Sequence, residues 1–164
     1  MNTIIDVAER IKNLALHIEK EVSVIIDNTK EQILIKNKQQ LMEGIKEDGN
    51  EITPSYLNDP YFKTKEAAQR YSNWKDKITP NSKRKSGTPN LYINGFYHNS
   101  IKINVKGEKI IIESKESIGK KIEQKYGDAI YWLNEANNQA YIKETFFPAL
   151  KTYIEETKQL QISY

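Results

Sequence analysis

The chain has 164 residues, 25 Lys+Arg against 22 Asp+Glu, two His and no Cys. That length supports one real hydrophobic core, and the missing Cys excludes a disulfide scaffold, a Cys-based zinc site and a thiol nucleophile. No run approaches about 18 apolar residues, the length of a membrane-crossing helix, and MNTIIDVAER, with no basic start and with Asp6, argues against a signal peptide.

The charge is unevenly spread. Residues 1–60 carry 7 basic and 11 acidic side chains, residues 61–87 carry 8 and 2, and residues 88–164 carry 10 and 9. An acidic first segment and a basic middle give the protein surfaces of opposite sign, suited to self-association or to steering a partner. Lys outnumbers Arg 22 to 3 and Ile outnumbers Val 23 to 4. Arg is the residue for bidentate phosphate and base recognition, so its scarcity weighs against nucleic acid as the main partner.

In chain order, Ile4, Ile11, Ile18 and Ile25 fall seven apart, with Val7 and Leu14 between them and Ala8, Ala15 and Val22 at the flanks. This predicts an amphipathic helix that either faces the core or packs on copies of itself. Asp6 and Glu9 suit the positive end of its dipole. Asp27-Asn28-Thr29 interrupts the stripe. Thr29 and Gln32 can form a capping box for a second helix carrying Ile33, Leu34, Leu41 and Ile45, or the first helix continues with a bend. Glu47-Asp48-Gly49-Asn50 reads as the closing turn.

Residues 51–63 read as an ordered surface loop pinned by Tyr56, Tyr61 and Phe62. Thr64 caps the next helix, on which Ala67, Ala68, Tyr71, Trp74 and Ile78 have the spacing of a core face. Residues 79–90, with Lys83-Arg84-Lys85 among Pro, Gly, Ser and Asn, predict an exposed, mobile basic tip. Leu91–Ser100 is a mixed aromatic and turn segment around Asn94-Gly95. Ile101, Ile103 and Val105 alternate with polar residues, and Lys106-Gly107-Glu108 turns the chain into Lys109–Ser114, predicting a β-hairpin over 101–114. Ser117 opens a short helix closed by Tyr126-Gly127. Ile130–Leu133 is either a third strand or a buried loop. Asn134 caps a last helix over about 135–158, which Pro148 should kink or restart.

Together these predict an α+β fold: a small antiparallel sheet, the 101–114 hairpin, packed against long N- and C-terminal helices. All of 1–164 forms one domain, with N-terminal helices over 1–47, a loop-helix-basic loop insertion over 48–90, and a hairpin and C-terminal helix core over 91–160.

The sequence carries no phosphate-cradling Gly-rich motif, no nucleophile elbow and no paired-His metal spacing. His98 next to Tyr97 and Ser100 lacks a third group and reads as a satisfied histidine. His17 reads as a boundary residue of the first helix. Glu113, Glu116 and Glu123 read as charges on a strand end and a helix face rather than paired catalysts. No enzyme activity, cofactor or metal is expected. Residues 61–87 mix aromatics with cations, the composition of a nucleic-acid surface, but the helical spacing of the aromatics assigns them to a core.

The second half resembles a known family. A Gly-centred segment, Asn94-Gly95-Phe96-Tyr97-His98-Asn99-Ser100, leads into the hairpin. A short helix ends in the aromatic-Gly pair Tyr126-Gly127. Leu133-Asn134-Glu135-Ala136-Asn137 opens the C-terminal helix. Over roughly 88–160 this is similar to the head–tail joining and tail-completion (virion morphogenesis) proteins of tailed bacteriophages, and ITPSYLNDPYF looks most like the versions in crAss-like phages. Where family members carry Arg in the Gly-centred segment, this chain has aromatics.

The resemblance implies a non-enzymatic structural protein of the virion, assembled in the host bacterial cytoplasm. It would form a homo-oligomeric ring at the neck between portal and tail, around the DNA channel, with about twelve copies by analogy with a portal ring. Its partners would be copies of itself and the portal and tail proteins. Genome DNA would only pass through, and no membrane would be involved. The alternative is a DNA- or RNA-binding accessory protein using the basic 61–87 segment. The candidate assembly contacts are Lys83, Arg84, Lys85, Tyr56, Tyr61 and Phe62, with the acidic N-terminal region of one subunit meeting the basic middle or hairpin region of the next.

Overall fold

A computed structural model describes the backbone of residues 4–107 and 109–161, and side chains from 20 to 156 except 108, together with Lys12 and Ile18. The first heptad positions (Ile4, Val7, Ile11, Leu14) and His17 lie outside the described side chains.

Helix α1 runs unbroken over Ile4–Met42, 39 residues or about 58 Å at 1.5 Å per residue. The capping box at Thr29 does not form, and the continuous alternative holds. The Thr29 hydroxyl donates to the Ile25 carbonyl one turn back (2.7 Å) and meets the Tyr141 hydroxyl at 2.7 Å. Asp27 and Lys30 pair along the helix at 2.8 Å. A residue type that favours caps is thus absorbed into a helix interior by tertiary partners. The helix ends earlier than the Asp48-Gly49 turn, because Gly44 takes φ +75°. The Ile45 amide then bonds back to the Gln40 carbonyl at 3.1 Å, a left-handed termination that glycine favours. A Cβ at Gly44 would sit 2.6 Å from the Thr88 Cγ2, so the 79–90 loop packs directly on this end.

Strands β1 (Ile101–Lys106) and β2 (Lys109–Ser114) form the predicted antiparallel hairpin, with Ile103 opposite Ile112 and Val105 opposite Ile110. Ile101, Ile103 and Ile112 are buried, and Ile33, Leu34 and Leu41 of α1 share their core cluster. This completes what a two-stranded hairpin cannot stabilise alone. At the hairpin tip, the Gly107 carbonyl accepts from the Ser23 hydroxyl at 2.7 Å.

Helix α2 covers Lys65–Ile78, with Thr64 accepting from the Ala67 amide as expected. The Leu91–Ser100 segment contains a short helix, α3 (Phe96–Ser100), entered through Gly95 at φ +81°. Helix α4 (Ser117–Tyr126) ends at Gly127, φ +84°.

Ile130–Leu133 is a buried loop, not a strand, because side chains of α1 take its carbonyls. Asn37 Nδ2 donates to Ile130 and Tyr131 (3.0 and 3.1 Å), and Gln40 Nε2 donates to Trp132 (2.9 Å). Asn134 caps α5 (Glu135–Tyr141) through the Asn137 amide. A π-helical turn over Ile142–Phe146 follows, and α6 (Phe147–Gln161) restarts one residue before Pro148. The break therefore lies a turn upstream of the proline, whose ring would crowd the preceding turn of a regular helix.

Candidate assembly surface

Lys83, Arg84 and Lys85 do not form a mobile tip. The 79–90 loop is folded onto α1 and α2, with Arg84, Thr88, Pro89 and Asn90 buried. The Arg84 side chain is 1% exposed and pairs with Asp76 at 2.9 Å. It also donates to the carbonyls of Thr88 (2.9 Å) and Thr79 (3.1 Å). It is a structural staple, and the expectation that it contacts a partner is corrected. Lys83 and Lys85 are exposed and pair with Glu43 (3.0 Å) and Glu51 (3.2 Å) of the acidic first segment. Part of the charge asymmetry is therefore neutralised within the chain.

The aromatic candidates also separate. Tyr56 is buried, and burial pushes its hydroxyl well above the usual phenol range, with Tyr71 adding to the rise. Its ring meets Tyr71 edge-on, centroids 5.0 Å apart. Tyr61 does not pin the loop, since it is 79% exposed. It rests on half-buried Phe62 (5.3 Å), which rests on Tyr71 (5.1 Å), which meets Trp74 (5.4 Å). A continuous strip of rings thus leads from the 51–63 loop onto α2.

Helix α2 is turned relative to its apolar pattern. Ala68, Ser72 and Lys75 are buried, while Trp74 and Ile78 are 43% and 42% exposed. The core assignment of Trp74 and Ile78 is therefore corrected. Lys75 goes inward because its ammonium finds an acceptor there, donating to the Tyr92 carbonyl. Burial, with Arg84 adding, lowers its pKa to about 8, and Asp76 opposes the shift. Two small side chains, Ala68 and Ser72, give that face room for close packing. Ala68 keeps its expected core position, and small Ser72 beside it is the one sequence feature that could have signalled the turned face.

His98 is buried beside this region, with Nε2 against the Asn90 carbonyl at 3.0 Å. Burial lowers its pKa to about 4; the Asn90 bond opposes this, while Lys38 and Lys75 add to it. Ser100 turns away from it, donating to the Tyr97 carbonyl and meeting the Ser114 hydroxyl, both at 2.7 Å. Glu113 and Glu123 share a cleft of about 370 Å³ with Glu47 and Asp128. Among the described residues, no three His, Asp or Glu side chains are grouped to hold a metal ion, and no helix is long and apolar enough to cross a membrane.

The arrangement leaves Tyr61 of the 51–63 loop and Trp74 and Ile78 of α2 exposed, joined through half-buried Phe62 and Tyr71, with exposed Lys63, Lys65, Arg70 and Lys77 on the same segment. Such a face offers apolar contact and charge steering. Compared with known proteins, the chain matches no family model, no curated protein and no solved structure.

Proposed function

We propose that the protein is a non-enzymatic structural subunit of a tailed bacteriophage virion, assembling with copies of itself into a ring at the neck between portal and tail. The observation that carries this reading is the turned α2, which buries Lys75 and leaves Trp74 and Ile78 outside, with Tyr61 of the preceding loop exposed as well. A helix that leaves a Trp and an Ile one turn apart on the surface is shaped for contact with another chain. Phe147 and Ile154 on α6 and Ile18 and Val24 on α1 are further apolar side chains exposed at the surface. The resemblance of residues 88–160 to head–tail joining proteins supplies the neck location.

The test is the mass of the expressed protein by light scattering and its shape in negative stain. Rings support the reading, and a monomer at every concentration overturns it. The genes beside its own give an independent check: portal, capsid and tail genes support the neck location, and a chromosomal metabolic operon refutes it.

A DNA- or RNA-binding accessory protein is the second reading. It gains from the same turned helix, because Trp74, whose spacing assigned it to the core, lies exposed on the helix that carries Arg70 and Lys77. Retention of a labelled oligonucleotide at about 50 mM salt, lost steeply as salt rises, would favour it. No retention at that salt would remove it.

A further inference from the structure

We infer that the outer faces of α2 and α1 are the two halves of one head-to-tail contact between copies of this chain. The basic, aromatic face of α2 in one copy receives the acidic, apolar face of α1 over residues 21–35 in the next. The inference rests on the ring reading and names the surfaces that would close the ring.

The first half is the strip of Tyr61, Trp74 and Ile78 described above. Arg70 and Lys77 flank it on α2, Lys63 and Lys65 lie at the start of the helix, and Glu66 is the single exposed carboxylate of residues 61–78. Among the described residues none of these four cations is in an ion pair, unlike Lys83 and Lys85 in the loop.

The second half lies on α1. Val24, Asn28, Glu31 and Ile35 follow at spacings of four, three and four, which places them on one helix face. All are exposed, Val24 at 43% and Ile35 at 45%. Residues 21–35 carry Glu21, Asp27 and Glu31 against one base, Lys30, which is already bonded to Asp27. This stretch is net acidic and presents two large apolar side chains to water.

Neither face can turn to meet the other within one chain. The opposite side of α1 over this stretch buries Ile25, Ile33 and Leu34. Helix α2 is held by Ala68, Ser72 and Lys75. Basic face against basic face, or acidic against acidic, is repelled, so a two-fold pairing through either face alone is disfavoured. The unlike pairing joins two different faces, and such a heterologous contact closes into a ring where its rotation divides a full turn and runs on as a filament where it does not. Opposite charges around an apolar centre also set the register of such a contact and speed its formation.

The experiment uses the full chain and two exposed double variants, Arg70→Glu with Lys77→Glu on α2, and Asp27→Lys with Glu31→Lys on α1. Sedimentation velocity at about 0.15 M salt reads the assembly state, and circular dichroism reads the fold. Each variant alone should raise the concentration of half-assembly at least about tenfold. Mixed in equal amounts, the two should co-assemble, because each reversed face then finds an unlike partner in the other variant. Should a reversal unfold the chain, Arg70→Gln with Lys77→Gln and Asp27→Asn with Glu31→Gln keep the shape and remove the charge, with weaker assembly again expected.

Variants that assemble like the parent while the parent forms rings overturn this contact and leave the ring reading intact. Variants that are each impaired but not restored by mixing overturn the pairing of these two faces. A parent that stays monomeric overturns the ring reading and this contact together.

Discussion

Replacing Arg84 by Ala should cost far more than replacing either neighbouring lysine, although the three are adjacent in sequence. The Arg84 side chain is 1% exposed, and those of Lys83 and Lys85 are each 74% exposed. Arg84→Ala deletes the bond to Asp76 and leaves the carbonyls of Thr79 and Thr88 without this donor. Hydrogen bonds to a charged group contribute about 1.5–3 kcal/mol each. Asp76 is 34% exposed and keeps the Ser86 hydroxyl at 2.7 Å, so its stranded charge is partly solvated. The expected loss is therefore about 3–5 kcal/mol, the range for removing one partner of a buried ion pair. Lys83→Ala and Lys85→Ala each break one exposed pair and should cost less than about 1 kcal/mol. Urea unfolding followed by circular dichroism measures all three, at one protein concentration, because assembly would add concentration-dependent stability. An Arg84→Ala loss under about 1 kcal/mol, or equal losses in all three variants, would refute the reasoning.

Three further outcomes follow from buried groups. The His98 pKa is lowered to about 4 from 6.5, so between those values the unfolded chain binds the extra proton. The stabilisation is fully present above pH 6.5 and is lost as pH falls toward 4, by up to about 3 kcal/mol; urea midpoints from pH 7 to 5 should fall, and His98→Gln should flatten that slope. Lys75, lowered to about 8 from 10.5, gives the same sign in another window, so midpoints should rise from pH 8 to 9.5; a flat or falling profile counts against its burial. Gly119→Ala would ordinarily favour a helix by about 1 kcal/mol, but a Cβ there meets the Ser114 Oγ at 2.2 Å and its carbonyl at 3.0 Å. That variant should lower the thermal midpoint, and a stabilised protein would show that α4 and β2 are not so closely packed.

What was legible in the sequence was local chemistry. The caps at Thr64 and Asn134 and the stop at Gly127 form where they were expected, because each bond closes within a few residues. The hairpin was legible because alternation and a Gly turn specify each other. The misread elements depend on distant partners. Thr29 stays helical with help from Tyr141, 112 residues away. Ile130–Leu133 is a loop because Asn37 and Gln40 take its carbonyls. Of the six candidate contact residues, Arg84 and Tyr56 are buried, while Lys83, Lys85, Tyr61 and Phe62 reach the surface to differing degrees. Trp74 and Ile78 are misassigned to the core because their spacing matches a core face, and spacing alone does not say which face the tertiary structure covers.

The turned α2 and the folded basic loop are one phenomenon. Arg84 reaches Thr79 and Asp76 of the α2 end, and Lys75 reaches the Tyr92 carbonyl just beyond the loop. Asn90 Nδ2 also donates to the Thr79 hydroxyl at 2.9 Å, so the loop supplies donors to Asp76 and Thr79, Tyr92 supplies the acceptor for Lys75, and together they hold the polar side of α2 inward. Trp74 and Ile78, at the end of the apolar stripe, are then displaced to the outside. Charge that seemed available for partners splits accordingly. Arg84 is consumed by the fold, and Lys83 and Lys85 are matched by Glu43 and Glu51. The residual positive charge sits on α2 beside the displaced rings. A triple reversal of Lys83, Arg84 and Lys85 would therefore confuse unfolding with loss of assembly, through Arg84 alone. Reversals at Arg70 and Lys77 leave the staple intact, so a change in assembly there reports on the surface itself.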